Sequence, residues 1–212
     1  MKTLLFVLAA LLVGCAKYPV YNDPMPKYET FDITSNVLGE VRTVNIWLPE
    51  GYVSGEKSLP VLYMLDGGVN EDFPHLANTM EQLIREKKMP PVILVGIANT
   101  QRRRDYTGPT IVAKDKDIAP VVGGSAAYRQ FLKEELFGEI EKRFTVRKER
   151  GIIGESLAGL FVTETFLEHP EMFDFYIAFD PSLWWNDSDL VKRAPQLLQQ
   201  HDYTGKRFWF AS

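Results

Sequence analysis

Gly154-Glu155-Ser156-Leu157-Ala158 sets a hydroxyl between small residues two positions to either side. An apolar β-branched pair, Ile152-Ile153, precedes it, and Leu157, Leu160, Phe161 and Phe166 follow with the spacing of an apolar helix face. Buried strand, sharp turn, helix is the arrangement that lifts a serine above a sheet edge as a nucleophile. The turn is so tight that positions 154 and 158 must stay small. The strict pattern has glycine at its fifth position; here Ala158 stands there and Gly159 follows. A serine hydroxyl is a poor nucleophile at neutral pH. The chemistry therefore also needs a histidine to take the proton, a carboxylate to orient that histidine, and N–H donors for the negative charge that develops on an attacked carbonyl. A glycine-flanked serine in a plain loop is the bland alternative, and the flanking strand and helix argue against it.

The base is harder to find. The chain has three histidines, and only His169 and His201 follow Ser156. His169 ends the helix that starts at the turn, which places it about 20 Å from the serine, at the opposite edge of the sheet. His169-Pro170 reads as a helix stop. His201 precedes the last strand and belongs to that same far edge. His75 lies on the nearer side but ahead of the serine in the chain, which suits an entry loop better than a base. Asp180 is a candidate carboxylate, or a turn residue before Pro181.

The elements that must position these groups alternate. Tyr28–Ser35 and Val41–Leu48 read as two antiparallel strands joined across Asn36–Glu40. Pro60–Leu65 and Val92–Ile97 are near-continuous apolar runs, as parallel strands covered on both faces should be. Phe73, Leu76, Met80, Leu83 and Ile84 recur at helical spacing between them, and Phe131, Leu132, Leu136, Ile140 and Phe144 mark another helix before the serine turn. Strands near Phe173–Phe179 and at Arg207–Ala211 flank a helix near Leu190–Gln199. Such alternation implies an α/β fold with a doubly wound parallel sheet.

Composition bounds the function. The 212 residues carry a net charge of −4 with no basic stripe, so nucleic acid is not an expected partner. A single cysteine excludes an intramolecular disulfide and makes a cysteine metal site improbable. That cysteine follows a positive start, Met1-Lys2, an apolar run, Leu4 to Val13, and Gly14. The run is too short to span a bilayer and has the length of a secretory signal core. Small residues before Cys15 resemble the bacterial lipobox. Residues 1–14 are expected to be a signal peptide, Cys15 to be lipidated, and residues 15–27 with Pro19, Pro24 and Pro26 to be a tether in the cell envelope, at the outer membrane or cell surface. An ordinary cleaved signal that contains a cysteine is the alternative.

Four stretches together resemble the Putative esterase (esterase D-like) family of α/β hydrolases: Leu65-Asp66-Gly67-Gly68 after a strand, Arg102-Arg103-Arg104-Asp105-Tyr106-Thr107, Gly154-Glu155-Ser156-Leu157-Ala158-Gly159, and Asp180-Pro181-Ser182-Leu183-Trp184-Trp185. That family includes siderophore-ester hydrolases, S-formylglutathione hydrolases and feruloyl or acetyl-xylan esterases. The resemblance runs from about residue 28 to the chain end and implies one α/β-hydrolase domain over 28–212, a mostly parallel sheet with an antiparallel N-terminal hairpin. It implies acyl transfer through Ser156, with the amide of Leu157 and one from Gly67 or Gly68 meeting the oxyanion. It needs no metal or organic cofactor. Arg102 and Arg104 would hold an acidic or catecholate substrate, or else belong to a solvated charged loop. Of Trp184 and Trp185, one is expected to pack and the other to line the acyl or sugar pocket.

The family places its carboxylate after the strand that ends this chain, Phe208-Trp209-Phe210-Ala211. The acid, the final helix and the histidine loop are therefore expected beyond residue 212. Two functional classes follow: an extracytoplasmic serine esterase acting on a small-molecule, sugar or siderophore ester, or a lipid-anchored, non-catalytic binding module that keeps the turn without its base. Secretion weighs against a glutathione thioester, a cytosolic substrate.

Overall fold

The structure, a computed structural model, describes residues 23–211. The expected signal peptide, Cys15 and most of the tether lie outside the described residues. Seven strands form one mixed sheet: β1 (Glu29–Ser35), β2 (Glu40–Trp47), β3 (Leu59–Met64), β4 (Ile93–Ile97), β5 (Val146–Glu155), β6 (Phe175–Phe179) and β7 (Arg207–Ala211). Their order across the sheet is β1-β2-β4-β3-β5-β6-β7. The first two form an antiparallel hairpin, β2 pairs antiparallel with β4, and every later pairing is parallel. This is the α/β architecture the alternation predicts, with the hairpin where it was expected.

The two apolar runs are continuous because both of their faces are covered. Successive residues of β3 alternate between two cores. Leu62 and Met64 meet Phe73, Ala77 and Met80 of α1 (Phe73–Arg85). Val61 and Tyr63 point the other way, into a core shared with α4 (Ser125–Phe131), α5 (Phe137–Arg143) and α6 (Leu157–Glu168). A π-helical turn, Leu132–Leu136, joins α4 to α5, so the single helix read from Phe131 to Phe144 is continuous but locally unwound. Its Glu135 accepts the amides of Asn36 and Val37 at 2.9 and 3.2 Å, which ties the tip of the β1–β2 hairpin to the helical layer.

Two helices depart from the expectation. The arginine-rich stretch is not an irregular loop: Arg102–Tyr106 forms α2, followed by α3 (Ala113–Ile118). The last helix, α7 (Trp185–Gln200), contains three consecutive left-handed residues, Asn186, Asp187 and Ser188, so its regular part begins near the predicted Leu190. Asn and Asp tolerate this conformation better than most L-residues.

One close approach fixes the loop after β3. A Cβ on Gly67 would lie 2.3 Å from the Gly96 Cα, and one on Gly96 would lie 2.6 Å from the Gly67 carbonyl oxygen. At Gly67 the nearest atoms are all backbone, with no flexible side chain to yield; at Gly96 the Phe73 ring also stands in the way, at 2.5 Å. Gly67→Ala is therefore expected to destabilise the protein by about 2–3 kcal/mol, as overpacking does. Urea denaturation checks this; an unchanged midpoint would refute the close-approach reading.

Candidate active site

Ser156 stands at the junction of β5 and α6 with φ 57° and ψ −117°, a combination L-residues seldom adopt. Three hydrogen-bonding neighbours hold it. Its N–H donates to the Phe179 carbonyl at 3.0 Å, and its own carbonyl accepts the amides of Leu160 at 2.9 Å and Ser182 at 3.0 Å. A Cβ on Gly154 would meet the Ala158 Cβ at 2.8 Å, so the small pair predicted from spacing is in contact. Gly159 has its own reason: a Cβ there would lie 2.8 Å from the Phe179 carbonyl oxygen. Alanine is thus tolerated at the fifth position, while glycine is required at the sixth by the approach of β6.

The Ser156 Oγ lies 3.3 Å from the Oγ of Ser182, a buried hydroxyl on the turn after β6. Ser182 was not singled out from sequence, where it is simply one residue of Asp180–Trp185. The histidines are placed elsewhere. His75, in the first turn of α1, pairs through Nδ1 with Asp23 Oδ2 at 2.9 Å. His169 caps α6, donating its amide to Thr165 and accepting from Met172 and from the Tyr176 hydroxyl. Burial, then the nearby Arg129 charge, hold its imidazole below the ordinary value. His201 ends α7, its ring edge-on to Tyr203. Asp180 is left-handed and donates its amide to the Ala211 carbonyl at 2.6 Å, a turn role.

The expected N–H donors separate into different roles. Leu157 N–H is the first amide of α6, one of the donors that a helix start leaves without an intrahelical acceptor. Gly67 N–H is engaged by the Ile97 carbonyl at 3.0 Å, so this glycine supplies shape rather than a donor. Gly68 N–H donates at 2.6 Å to the Glu71 carboxylate: a negative oxygen already sits on this amide.

Both guanidinium groups of Arg102 and Arg104 have carboxylate partners within the chain. Arg102 grips Asp66 with two bonds, 2.6 and 2.8 Å. Arg104 bonds Glu40 at 2.7 Å and Asp105 at 2.7 Å. Arg42 sits behind them, almost fully buried, and reaches Asp105 at 2.6 Å and Glu40 at 2.5 Å. These ion pairs dock α2 and explain why a polar stretch without apolar periodicity forms a helix. The two tryptophans differ in burial. Trp185 is buried and donates from Nε1 to the Gly108 carbonyl at 3.3 Å, whereas Trp184 is half exposed.

A cavity of about 340 Å³ opens between α1 and the carboxyl ends of β3, β5 and β6. Met64, Ile153 and Phe179 give it an apolar floor, and Asp66, Asp72, His75 and Glu155 a polar rim. It adjoins the serine turn on the side away from α6.

Sheet order, serine geometry and the loop after β3 define an α/β hydrolase framework, and comparison with known proteins agrees. The model of the Putative esterase family matches residues 35–211, and the chain belongs to that family. It is 34% identical over 170 residues to the ferri-bacillibactin esterase BesA of Bacillus subtilis, covering 71% of this chain and 54% of that protein. It is 31% identical over 146 residues to the apo-salmochelin esterase of Escherichia coli O6:H1, covering 63% of this chain and 45% of that one. An IroE-like serine hydrolase from Shewanella oneidensis superposes with a TM-score of 0.79 at 29% identity, over 87% of this chain and 60% of its own. The chain thus spans about half the length of the two esterases.

Glu155, beside the nucleophile position, carries a raised carboxyl pKa. Partial burial is the main cause, followed by the charges of Asp72 and Asp66, with Arg102 opposing and Asp180 adding. A carboxyl whose folded pKa exceeds its unfolded one favours folding below the unfolded value and loses that contribution as pH rises through the folded one. At neutral pH the ionised Glu155 is therefore a burden. Glu155→Gln is expected to raise the melting temperature modestly near neutrality and to change nothing below the ordinary carboxylate range. Thermal melts at both pH values test this; an equal gain at both would refute it.

Proposed function

We propose that this chain carries the nucleophile and oxyanion-binding half of a serine-dependent carboxylic ester hydrolase, acting outside the cytoplasm on siderophore-type esters. The observation that carries the reading is the Ser156 backbone. A left-handed serine locked between a central strand and a helix exposes its hydroxyl at the carboxyl edge of the sheet, and nothing in the packing of a mere binding module calls for that strain. The names of the relatives, ferri-bacillibactin and apo-salmochelin esterases, support the substrate class.

The Ser156 Oγ attacks the ester carbonyl carbon and gives its proton to a base; the carbonyl oxygen becomes an oxyanion. Leu157 N–H and Gly68 N–H are the donors that receive it, the latter exchanging the Glu71 carboxylate for the new negative oxygen. The tetrahedral intermediate collapses, the C–O bond to the alcohol breaks, and the alcohol leaves with the base's proton. Water then hydrolyses the acyl-serine by the same steps. In this reading Trp184 flanks an acyl or aromatic group of the substrate; its half-exposed ring, two residues from Ser182, supports that role.

Ser156→Ala in the full-length protein is expected to lower ester turnover by on the order of 10⁴-fold or more while leaving the melting temperature near wild type, because only the nucleophilic oxygen is lost. Hydrolysis of p-nitrophenyl butyrate and of a catecholate siderophore ester measures it. Wild-type turnover by the alanine variant refutes the nucleophile; activity on the simple ester alone refutes the substrate class.

For location, the leader supports lipid attachment at Cys15. Cys15→Ser is expected to move the protein from the membrane fraction to the soluble one or to leave it unprocessed. Mass spectrometry finding an unmodified mature N-terminus at another residue overturns this.

A further inference from the structure

The two segments that would form the oxyanion site come from adjacent strands, and the sheet stops holding them together just where precision is needed. β3 and β5 pair in parallel as far as Met64 and Ile153, and one more bond, Leu65 N–H to the Ile153 carbonyl at 3.1 Å, closes the ladder. Beyond it, Asp66-Gly67-Gly68 and Glu155-Ser156-Leu157 diverge into separate turns. Asp66 is itself left-handed, with φ 55°.

One side chain spans the gap. Arg102 Nε donates to Asp66 Oδ1 at 2.6 Å and Nη2 to Asp66 Oδ2 at 2.8 Å, and the same Nη2 reaches the Glu155 carbonyl at 3.2 Å. Its guanidinium lies 5.6 Å from the centre of the Tyr106 ring. The Tyr106 hydroxyl accepts the Asp66 amide at 3.1 Å and donates to Asn99 Oδ1 at 2.8 Å. Asn99 in turn donates to Asp66 and to Glu71, the residue on the Gly68 amide, at 2.6 and 2.7 Å.

We infer that Arg102 is a positioning residue for acyl transfer: it clamps the loop after β3 to the serine turn and so sets the distance between Ser156 and the Gly68 donor. This rests on the reading of Ser156 as the nucleophile. A planar guanidinium forks onto a carboxylate and still offers an N–H to a carbonyl, which a lysine ammonium on one flexible stem does not reproduce. A displacement of about 1 Å in such a site is enough to lower rates about 10²-fold.

The test is Arg102→Lys in the full-length protein, with p-nitrophenyl butyrate as substrate and an arylboronic acid as the probe of the tetrahedral state. The expected result is a kcat lower by about 10- to 100-fold with KM within about twofold, and a boronate inhibition constant that rises in proportion to the loss of kcat/KM. Arg103→Ala, at the exposed neighbour, should change none of these. Asp66→Asn should give the same pattern, and the double variant should be no worse than the poorer single one, because the two residues act through one contact. A folded Arg102→Lys with wild-type kcat overturns the proposal. A raised KM at unchanged kcat overturns it too, making Arg102 a substrate-holding residue, and a variant that unfolds makes it a stability residue. Wild-type protein without serine-dependent turnover refutes the nucleophile itself, an outcome separate from all of these.

Discussion

The backbone of Ser156 is the constraint on which the rest of the site depends. Its φ of 57° is unfavourable for a side chain with a Cβ, and the structure meets that strain with bonds from three directions: Phe179 from β6, Leu160 from α6 and Ser182 from the following turn. Each draws another element into register. The bond to Phe179 requires β6 to lie close enough that position 159 must be glycine. The bond from Ser182 brings the Asp180–Trp185 turn against the serine, and Trp185 then reaches across to Gly108. Strain of about 1–3 kcal/mol at one residue persists only where its surroundings over-determine it, and here they do.

A second layer of organisation is polar. Asp66 gathers Arg102, Asn99 and the Tyr106 hydroxyl, while Arg42, Arg104, Glu40 and Asp105 form an ion-pair group that docks α2. The two groups are continuous through Arg102-Arg103-Arg104-Asp105-Tyr106. A helix of five residues has no stability of its own, so its position derives from these tertiary bonds. The carboxyl edge of the sheet is therefore held by charge-assisted hydrogen bonds together with the packing of Tyr106 against Tyr128 and Phe161.

This division explains what could be read from the sequence. Apolar runs and helical spacing report burial, so β3, β4 and α1 fall close to where the pattern placed them; the final strand Arg207–Ala211 also forms as read, with Trp209 and Phe210 exposed. The serine turn was legible because sterics leave few residues able to occupy positions 154 and 158. The arginines were not, because a sequence displays a charge without its partner: Arg102 meets Asp66 from 36 residues away, and Ser182 meets Ser156 from 26. Gly67 and Gly68 looked equivalent as loop glycines. Only the fold shows that one amide belongs to the Ile97 carbonyl and the other to the Glu71 carboxylate.

That last distinction bears on how the loop is prepared for chemistry. An N–H aimed at empty space in a low-dielectric cleft would carry an unsatisfied donor, which is costly. Glu71 removes that penalty by supplying a negative oxygen at 2.6 Å, and Asn99 holds the other carboxylate oxygen in place. In the proposed reaction an oxyanion entering the same position would exchange one anionic acceptor for another, so the Gly68 amide and the dipoles behind it would not need to reorient. Preorganisation of this kind is where electrostatic catalysis draws its advantage over water. It also gives a reason for the charge pairing nearby. With Asp66 neutralised by Arg102, the carboxylate on Gly68 is not opposed by a second bare one at the same turn, and the loop keeps its shape when the occupant of its donor changes.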